Sequence, residues 1–152
     1  MTIDFIIPGK KKNTFVEQGM NEYLKRLSKY AKVNLIYIQE RKVDPDNKKM
    51  LDNALSDEAD EIIKLSSNSY LFLLDTHASQ LSTSDFKESF QQVCKTHGKI
   101  SFAVGSSYGL SDKLRKRADQ IFSLSKMTFT HYLAMMLLIE QVYRCFNRSY
   151  DK

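Results

Sequence analysis

Tyr70-Leu71-Phe72-Leu73-Leu74, halted by Asp75, is the stretch whose reading decides the fold. It is continuously apolar and shows no alternation, so the strand it forms must be covered on both faces, as at the centre of a parallel sheet. Parallel neighbours need long crossovers, and the flanking sequence supplies them. Upstream, Leu51, Leu55, Ile62 and Ile63 mark an amphipathic helix that ends in the Ser66-Ser67-Asn68-Ser69 cluster. Downstream, Ser84 or Asp85 is expected to cap a helix with Phe86, Phe90, Val93 and Cys94 facing inward, stopped by Gly98.

The same alternation extends in both directions. Ile3 to Ile7 reads as a buried strand closed by Pro8-Gly9. A helix capped by Thr14 follows, with Val16, Met20, Tyr23, Leu24, Leu27 and Tyr30 recurring at three and four, and then a strand from Val33 to Ile38. Arg41 to Lys49, containing Asp44-Pro45-Asp46-Asn47, is a polar loop. On the carboxyl side, Ile100 to Val104 is a strand, Ser111 caps a short basic helix, and Ile121 to Leu124 is a last short strand. The final helix opens at His131, carries the uninterrupted apolar run Leu133 to Ile139, which reads as buried all round, and reaches Glu140-Gln141-Val142-Tyr143-Arg144. Strand and helix alternate throughout, which predicts an α/β domain over residues 1–152 with a mostly parallel sheet and helices on both faces. No repeat or linker divides it.

The totals narrow the function. With 152 residues, 42% hydrophobic and 27% charged, the chain can bury a core and is not a disordered segment. The longest apolar run, Tyr132 to Ile139, falls well short of the ~20 residues that cross a bilayer. Met1-Thr2-Ile3-Asp4 has no secretory character, so a cytoplasmic protein is expected. Cys94 and Cys145 have no partners at metal-ligand spacing and read as reduced thiols, with no metal site. The formal charge of +5 and pI near 9.1 suit an anionic partner, of which nucleic acid is the commonest. The cations cluster at Lys10-Lys11-Lys12, at Lys25, Arg26, Lys29 and Lys32, and at Lys113, Arg115, Lys116 and Arg117. A solvated face is the plain alternative for each cluster.

In an open parallel sheet ligands bind beyond the carboxyl ends of the strands. The three ends that stand out are Leu74-Asp75, Gly105-Ser106-Ser107-Tyr108-Gly109-Leu110, and Ser123-Leu124-Ser125-Lys126-Met127-Thr128-Phe129-Thr130. The Gly105 to Gly109 loop allows close backbone approach to a ligand but matches neither G-x-G-x-x-G nor a P-loop. The Ser123 to Phe129 stretch mixes hydroxyls and backbone amides with the apolar Leu124, Met127 and Phe129, which suits an adenine with its ribose. Helix capping explains its Ser and Thr equally well. Glu140 and Arg144 are spaced i,i+4 with the acid first; beside a buried run such a pair belongs at a cleft or subunit interface. Tyr143 could stack a base. His131, at the helix start, is expected to be neutral through the helix dipole, in either a packing or a substrate role. His77 and His97 receive none.

Glu22-Tyr23-Leu24-Lys25-Arg26, Leu73-Leu74-Asp75, the Ser123 to Phe129 stretch, His131 and Ile139-Glu140-Gln141-Val142-Tyr143-Arg144 together resemble one family. It is the SPOUT methyltransferases of the RlmH type, which N3-methylate a pseudouridine of bacterial 23S ribosomal RNA. The resemblance covers nearly the whole chain. It implies a carboxyl-terminal trefoil knot, S-adenosylmethionine as cofactor, the ribosome and its 23S rRNA as partner, and a homodimer whose site uses both subunits. By position it makes Leu74, Gly105, Leu124, Ser125, Lys126, Met127, Thr128 and Phe129 cofactor contacts. Arg144, Glu140, His131 and Tyr150 become the catalytic residues, with Arg144 stabilising charge on the base and Glu140 orienting it.

The chain departs from the family at Gly105-Ser106, where Gly-Gly is usual, and at Thr130-His131, where Pro-His is usual. Met135 replaces an arginine, and the ending is Tyr150-Asp151-Lys152 rather than Tyr-His-Lys or Tyr-His-Arg. The last two are expected on the substrate side, so the resemblance bears more directly on the cofactor than on the particular RNA. A paralogue with another RNA substrate, a non-catalytic ribosome-binding dimer and a flavodoxin-like nucleotide-binding protein are the competing readings.

Overall fold

The computed structural model describes residues 1–147. Its elements are β1 (Thr2–Pro8), α1 (Phe15–Leu27), β2 (Lys32–Ile38), α2 (Lys48–Leu65) and β3 (Tyr70–Leu74), followed by α3 (Thr83–Thr96), β4 (Lys99–Val104), α4 (Asp112–Arg117), β5 (Gln120–Phe122) and α5 (His131–Phe146). The five strands form one sheet in the order β2-β1-β4-β3-β5, and every pairing is parallel. The apolar run at Tyr70 to Leu74 lies inside the sheet, with Phe72 opposite Phe102 of β4 and Leu73 opposite Ile121 of β5.

The period-two geometry of a strand divides the apolar residues between two cores. Ile3, Phe5, Ile7, Phe72, Leu74, Phe102 and Phe122 face one side, where α1, α3 and α5 cover them with Met20, Leu27, Phe86, Phe90, Leu138 and Val142. Ile6, Ile38, Leu71, Leu73 and Ala103 face the other, under Ala59 and Ile62 of α2 and Leu114 of α4. Helices therefore cover both faces, as the patterning requires. On the first face Phe72 stacks on Phe102 at 4.9 Å, which stacks on Phe5 at 5.3 Å. Each such buried ring contributes roughly 1.5–3 kcal/mol.

Thr14, Asn47 and Ser111 cap α1, α2 and α4 through their side-chain oxygens. Three sequence expectations are corrected. The α3 cap is Ser82, whose hydroxyl accepts from the Asp85 amide at 3.0 Å; the helix starts earlier than Ser84 or Asp85, and it gives way at His97 rather than at Gly98. The last strand is shorter than Ile121 to Leu124, because the Ser123 amide turns to the Ser79 carbonyl at 3.0 Å. Helix α5 is not buried all round. Met135, Leu138, Ile139 and Val142 are inside, while Leu133 and Leu137 are half-buried and belong to neither core.

The topology places the ligand-binding end. After β1, β3 and β5 the chain passes to helices on the first face, whereas after β4 it passes to α4 on the opposite face. Strand β4 lies between β1 and β3, so its outgoing loop diverges from the loops on either side. Such divergence opens a crevice beyond the carboxyl ends of the strands.

Candidate functional site

On the β3 and β5 side of the β4 loop lies a cavity of about 650 Å³, walled by the segments after β3, β4 and β5 and by the start of α5. That volume is in the range of small-molecule and cofactor sites. Leu74, Gly105, Leu124, Ser125, Met127, Thr128 and Phe129 all line it, as does His131. Lys126 does not; it is exposed beside the loop.

The lining is stiffened from within. The Ser123 hydroxyl donates to the Ser125 carbonyl at 2.8 Å and accepts from the Ser125 amide at 3.3 Å, and the Ser125 hydroxyl accepts from the Met127 amide at 3.0 Å. Thr130 caps α5 by accepting from the Leu133 amide at 3.4 Å. Capping thus accounts for Thr130, while the Thr128 hydroxyl has no partner among the described residues and is exposed at the cavity. On the opposite wall the chain folds over Gly105. A Cβ there would come within 2.7 Å of the Gly109 carbonyl oxygen and would meet the Leu110 side chain, so only glycine permits this closure. Gly109, at φ +111, completes the turn.

Asp75 sets the charge of the wall. Burial pushes its carboxyl upward, but the Arg115 guanidinium at 2.9 Å and the His77 amide at 3.0 Å outweigh that and hold it below the usual carboxylate range. Arg115 also binds Asp112 at 2.9 Å. Behind the β4 loop, Glu58 of α2 is only 3% exposed. Burial pushes its carboxyl up, opposed by the Ser106 hydroxyl and by Arg41. The His131 imidazole is held below its ordinary value chiefly by burial, with Lys12 adding to the effect and Glu40 and the Pro8 carbonyl opposing it. The neutral state expected from the helix dipole is therefore favoured mainly by desolvation. Its Nε2 is buried without a hydrogen bond, 3.8 Å from Glu40 Oε1.

Glu140 and Arg144 form the expected pair, with Arg144 Nε 2.8 and 2.7 Å from the two carboxylate oxygens. They do not line this cavity. At 1.5 Å per residue, α5 carries Arg144 about 20 Å beyond His131. The pair shares a helix stripe with Leu133 and Leu137 at intervals of four and three, the spacing of one face. Two sequence expectations fail here. Met135 is fully buried in the core, so the helix phase takes it away from any substrate surface. Tyr143 is buried against the Tyr23 ring at 6.0 Å and cannot offer its face to a base. Tyr150 and Asp151 lie outside the described residues.

Tyr108, in the loop expected to bind a ligand, also lines the cavity, as do Arg115 and His77, to which the sequence assigned no site role. The strand end at Asp75 was the available signal for Arg115. Among the described residues no cluster of His, Cys, Asp and Glu could hold a metal, and no helix is long and apolar enough to cross a membrane.

Comparison with known proteins agrees with this fold. A family profile described as "Predicted SPOUT methyltransferase" matches residues 1–149. The Ribosomal RNA large subunit methyltransferase H of an Exiguobacterium species is 38% identical, with all of both chains covered. A probable methyltransferase from Bordetella pertussis superposes with a TM-score of 0.60 at 12% identity, covering 95% of this chain and 94% of that one. A Ribosomal RNA small subunit methyltransferase E from Neisseria gonorrhoeae, bound to S-adenosyl methionine, gives a TM-score of 0.53 at 13% identity, covering 96% of this chain and 66% of that one. At such identities the two superpositions speak to the fold.

Proposed function

The chain belongs to the family of predicted SPOUT methyltransferases, and from that premise we propose that it transfers a methyl group from S-adenosylmethionine to N3 of a pseudouridine in 23S ribosomal RNA. The observation that carries the proposal is the cavity at the carboxyl ends of β3, β4 and β5, built from Leu74, Gly105 and the 124–129 loop. The name of the 38%-identical relative supports the large-subunit RNA as substrate.

The cavity residues suit the cofactor. Leu124 and Phe129 offer apolar surfaces for a flat base, the Thr128 hydroxyl is available to an edge or a ribose, and Gly105 lets backbone approach. When bound, S-adenosylmethionine supplies a sulfonium methyl that is already electrophilic. The protein's part is then alignment, exclusion of water and management of the N3 proton. His131 lines this cavity at the start of α5, and burial biases its imidazole toward the neutral form, which suits it to pack against the ligand or present a polar edge there.

Glu140 and Arg144 are assigned to the substrate side of the partner's cavity. Their stripe with Leu133 and Leu137 supports a homodimer through α5, and Arg144 would stabilise charge developing on the base while Glu140 fixes its guanidinium. Tyr150 is proposed to join them. The reading also includes one domain over residues 1–152, a carboxyl-terminal trefoil knot and a cytoplasmic location, all supported by membership of the family. That membership weighs against a flavodoxin-like protein.

Ribosomes lacking the modification, incubated with the protein and S-adenosylmethionine labelled in its methyl group, should acquire label in large-subunit RNA. Arg144→Ala should lower transfer at least ~100-fold, of the order seen when one transition-state donor is lost, with cofactor affinity within a few-fold. No label from the unmodified protein would overturn the function, and undiminished transfer by the variant would remove Arg144 from the mechanism.

A further inference from the structure

The β4 loop has a second side. There, a concavity of about 550 Å³ is lined by Gly9, Lys10 and Lys12 after β1, by residues 39–42 after β2, and by Tyr108. Tyr108 also lines the larger cavity, so the two spaces share this residue. His131 of the larger cavity lies 3.8 Å from Glu40 of the smaller one.

The charges of this groove differ from those of helix α4. In the basic helix α4, Lys113 is bound to Asp60 at 2.7 Å, Arg115 to Asp75 at 2.9 Å and Arg117 to Asp119 at 3.1 Å. That cluster is largely neutralised from within. In the groove Arg41 is similarly tied to Glu61 at 2.6 Å, whereas Lys10, Lys12 and Lys42 have no ion pair among the described residues. Glu40 is the acid that faces them.

The lysines are presented from a fastened turn. Gly9, at φ +140, packs where a Cβ would strike the Tyr132 hydroxyl, and its amide donates to the Ile38 carbonyl at 3.0 Å. The Lys10 amide donates to the Tyr132 hydroxyl at 3.2 Å, and the Lys12 amide donates to the Glu17 carboxylate. Lys12 Nζ lies 5.2 Å above the Tyr132 ring. A turn held to α5 beside His131, bearing uncompensated cations, is organised for an anion that must reach the neighbouring cavity.

Resting on the methyltransferase reading above, we propose that this groove binds the phosphodiester backbone of the substrate RNA beside the target nucleotide. Lys10 and Lys42 contact phosphates, and the nucleotide passes Tyr108 to the cofactor cavity. Such contacts fix register and add affinity without reading sequence, and each releases counterions.

The test compares the double variant Lys10→Gln/Lys42→Gln with Lys29→Gln, an exposed lysine remote from the groove. The measurements are filter retention of ribosomal RNA across a salt series, KM for ribosomes, kcat, and cofactor affinity. The double variant should bind RNA at least ~10-fold more weakly and lose about two units of log–log salt slope, one for each phosphate contact. Its KM should rise in parallel, while kcat at saturating ribosomes, cofactor affinity and Lys29→Gln stay as in the unmodified protein. Unchanged RNA affinity and slope in the double variant, or an equal loss in Lys29→Gln, would overturn the proposal. Absence of methyl transfer by the unmodified protein would refute the preceding reading instead, because RNA retention is measured without turnover.

Discussion

Glu58 shows how a single side chain can matter to the site without touching the cavity. Its buried carboxyl sits behind Ser106 of the β4 loop with Oε2 lacking a hydrogen bond, and burial raises its pKa above the ordinary 4.5. A carboxyl with a raised native pKa contributes stability that is complete below the unfolded value and lost as pH rises through the native one. Glu58→Gln removes the buried charge. The variant should be more stable than the parent at about pH 8, by on the order of 1 kcal/mol, and little different near pH 4. Urea unfolding at the two pH values checks this, and a destabilised variant at about pH 8 would contradict it. At this scale the sequence showed the cavity residues at strand ends, namely Leu74, Gly105 and, Lys126 excepted, 124–129. It did not show Glu58 or Arg115, because their neighbours at Ser106 and Asp75 lie 48 and 40 positions away and adjoin them only after the sheet forms.

Helix α5 joins the two halves of the proposed site. Its first turn lines the larger cavity through His131, its inner face packs on the core, and its outer stripe carries Leu133, Leu137, Glu140 and Arg144. The apolar run predicted a helix with more hydrophobic surface than one core face uses, and the half-buried Leu133 and Leu137 locate the surplus. Leu137→Glu, which places a charge on this stripe, should yield monomer at micromolar concentration in sedimentation velocity, with the far-ultraviolet circular dichroism of the parent preserved. A variant that remained dimeric would remove the stripe from the interface. Elements were legible because their hydrophobic periods are local. The Met135 and Tyr143 expectations failed because residue type at a motif position does not reveal which face of the helix turns inward; both are core residues. Threading of the chain leaves no periodicity at all, so the knot entered only through the family resemblance.

Across the whole molecule, the departure of the β4 loop to the opposite face from its neighbours organises what the chain does. It opens the larger cavity on one side and the lysine groove on the other, with Tyr108 lining both. Parallel alternation was readable from the Tyr70 to Leu74 run and its flanking helices, but the strand order β2-β1-β4-β3-β5 was not, since any parallel order satisfies the same patterning. The net charge of +5 pointed to an anionic partner without saying where, and the ion pairs of α4 show why counting basic residues could not. The central claim is methyl transfer to N3 of a pseudouridine in the large-subunit RNA. It is tested most directly by mass spectrometry of nuclease fragments of 23S rRNA, from unmodified ribosomes treated with the protein and S-adenosylmethionine. The account predicts one fragment heavier by a single methyl group, with the methyl on N3 of a pseudouridine. An unchanged set of fragments, or a methyl on another nucleotide or in the small-subunit RNA, would contradict it.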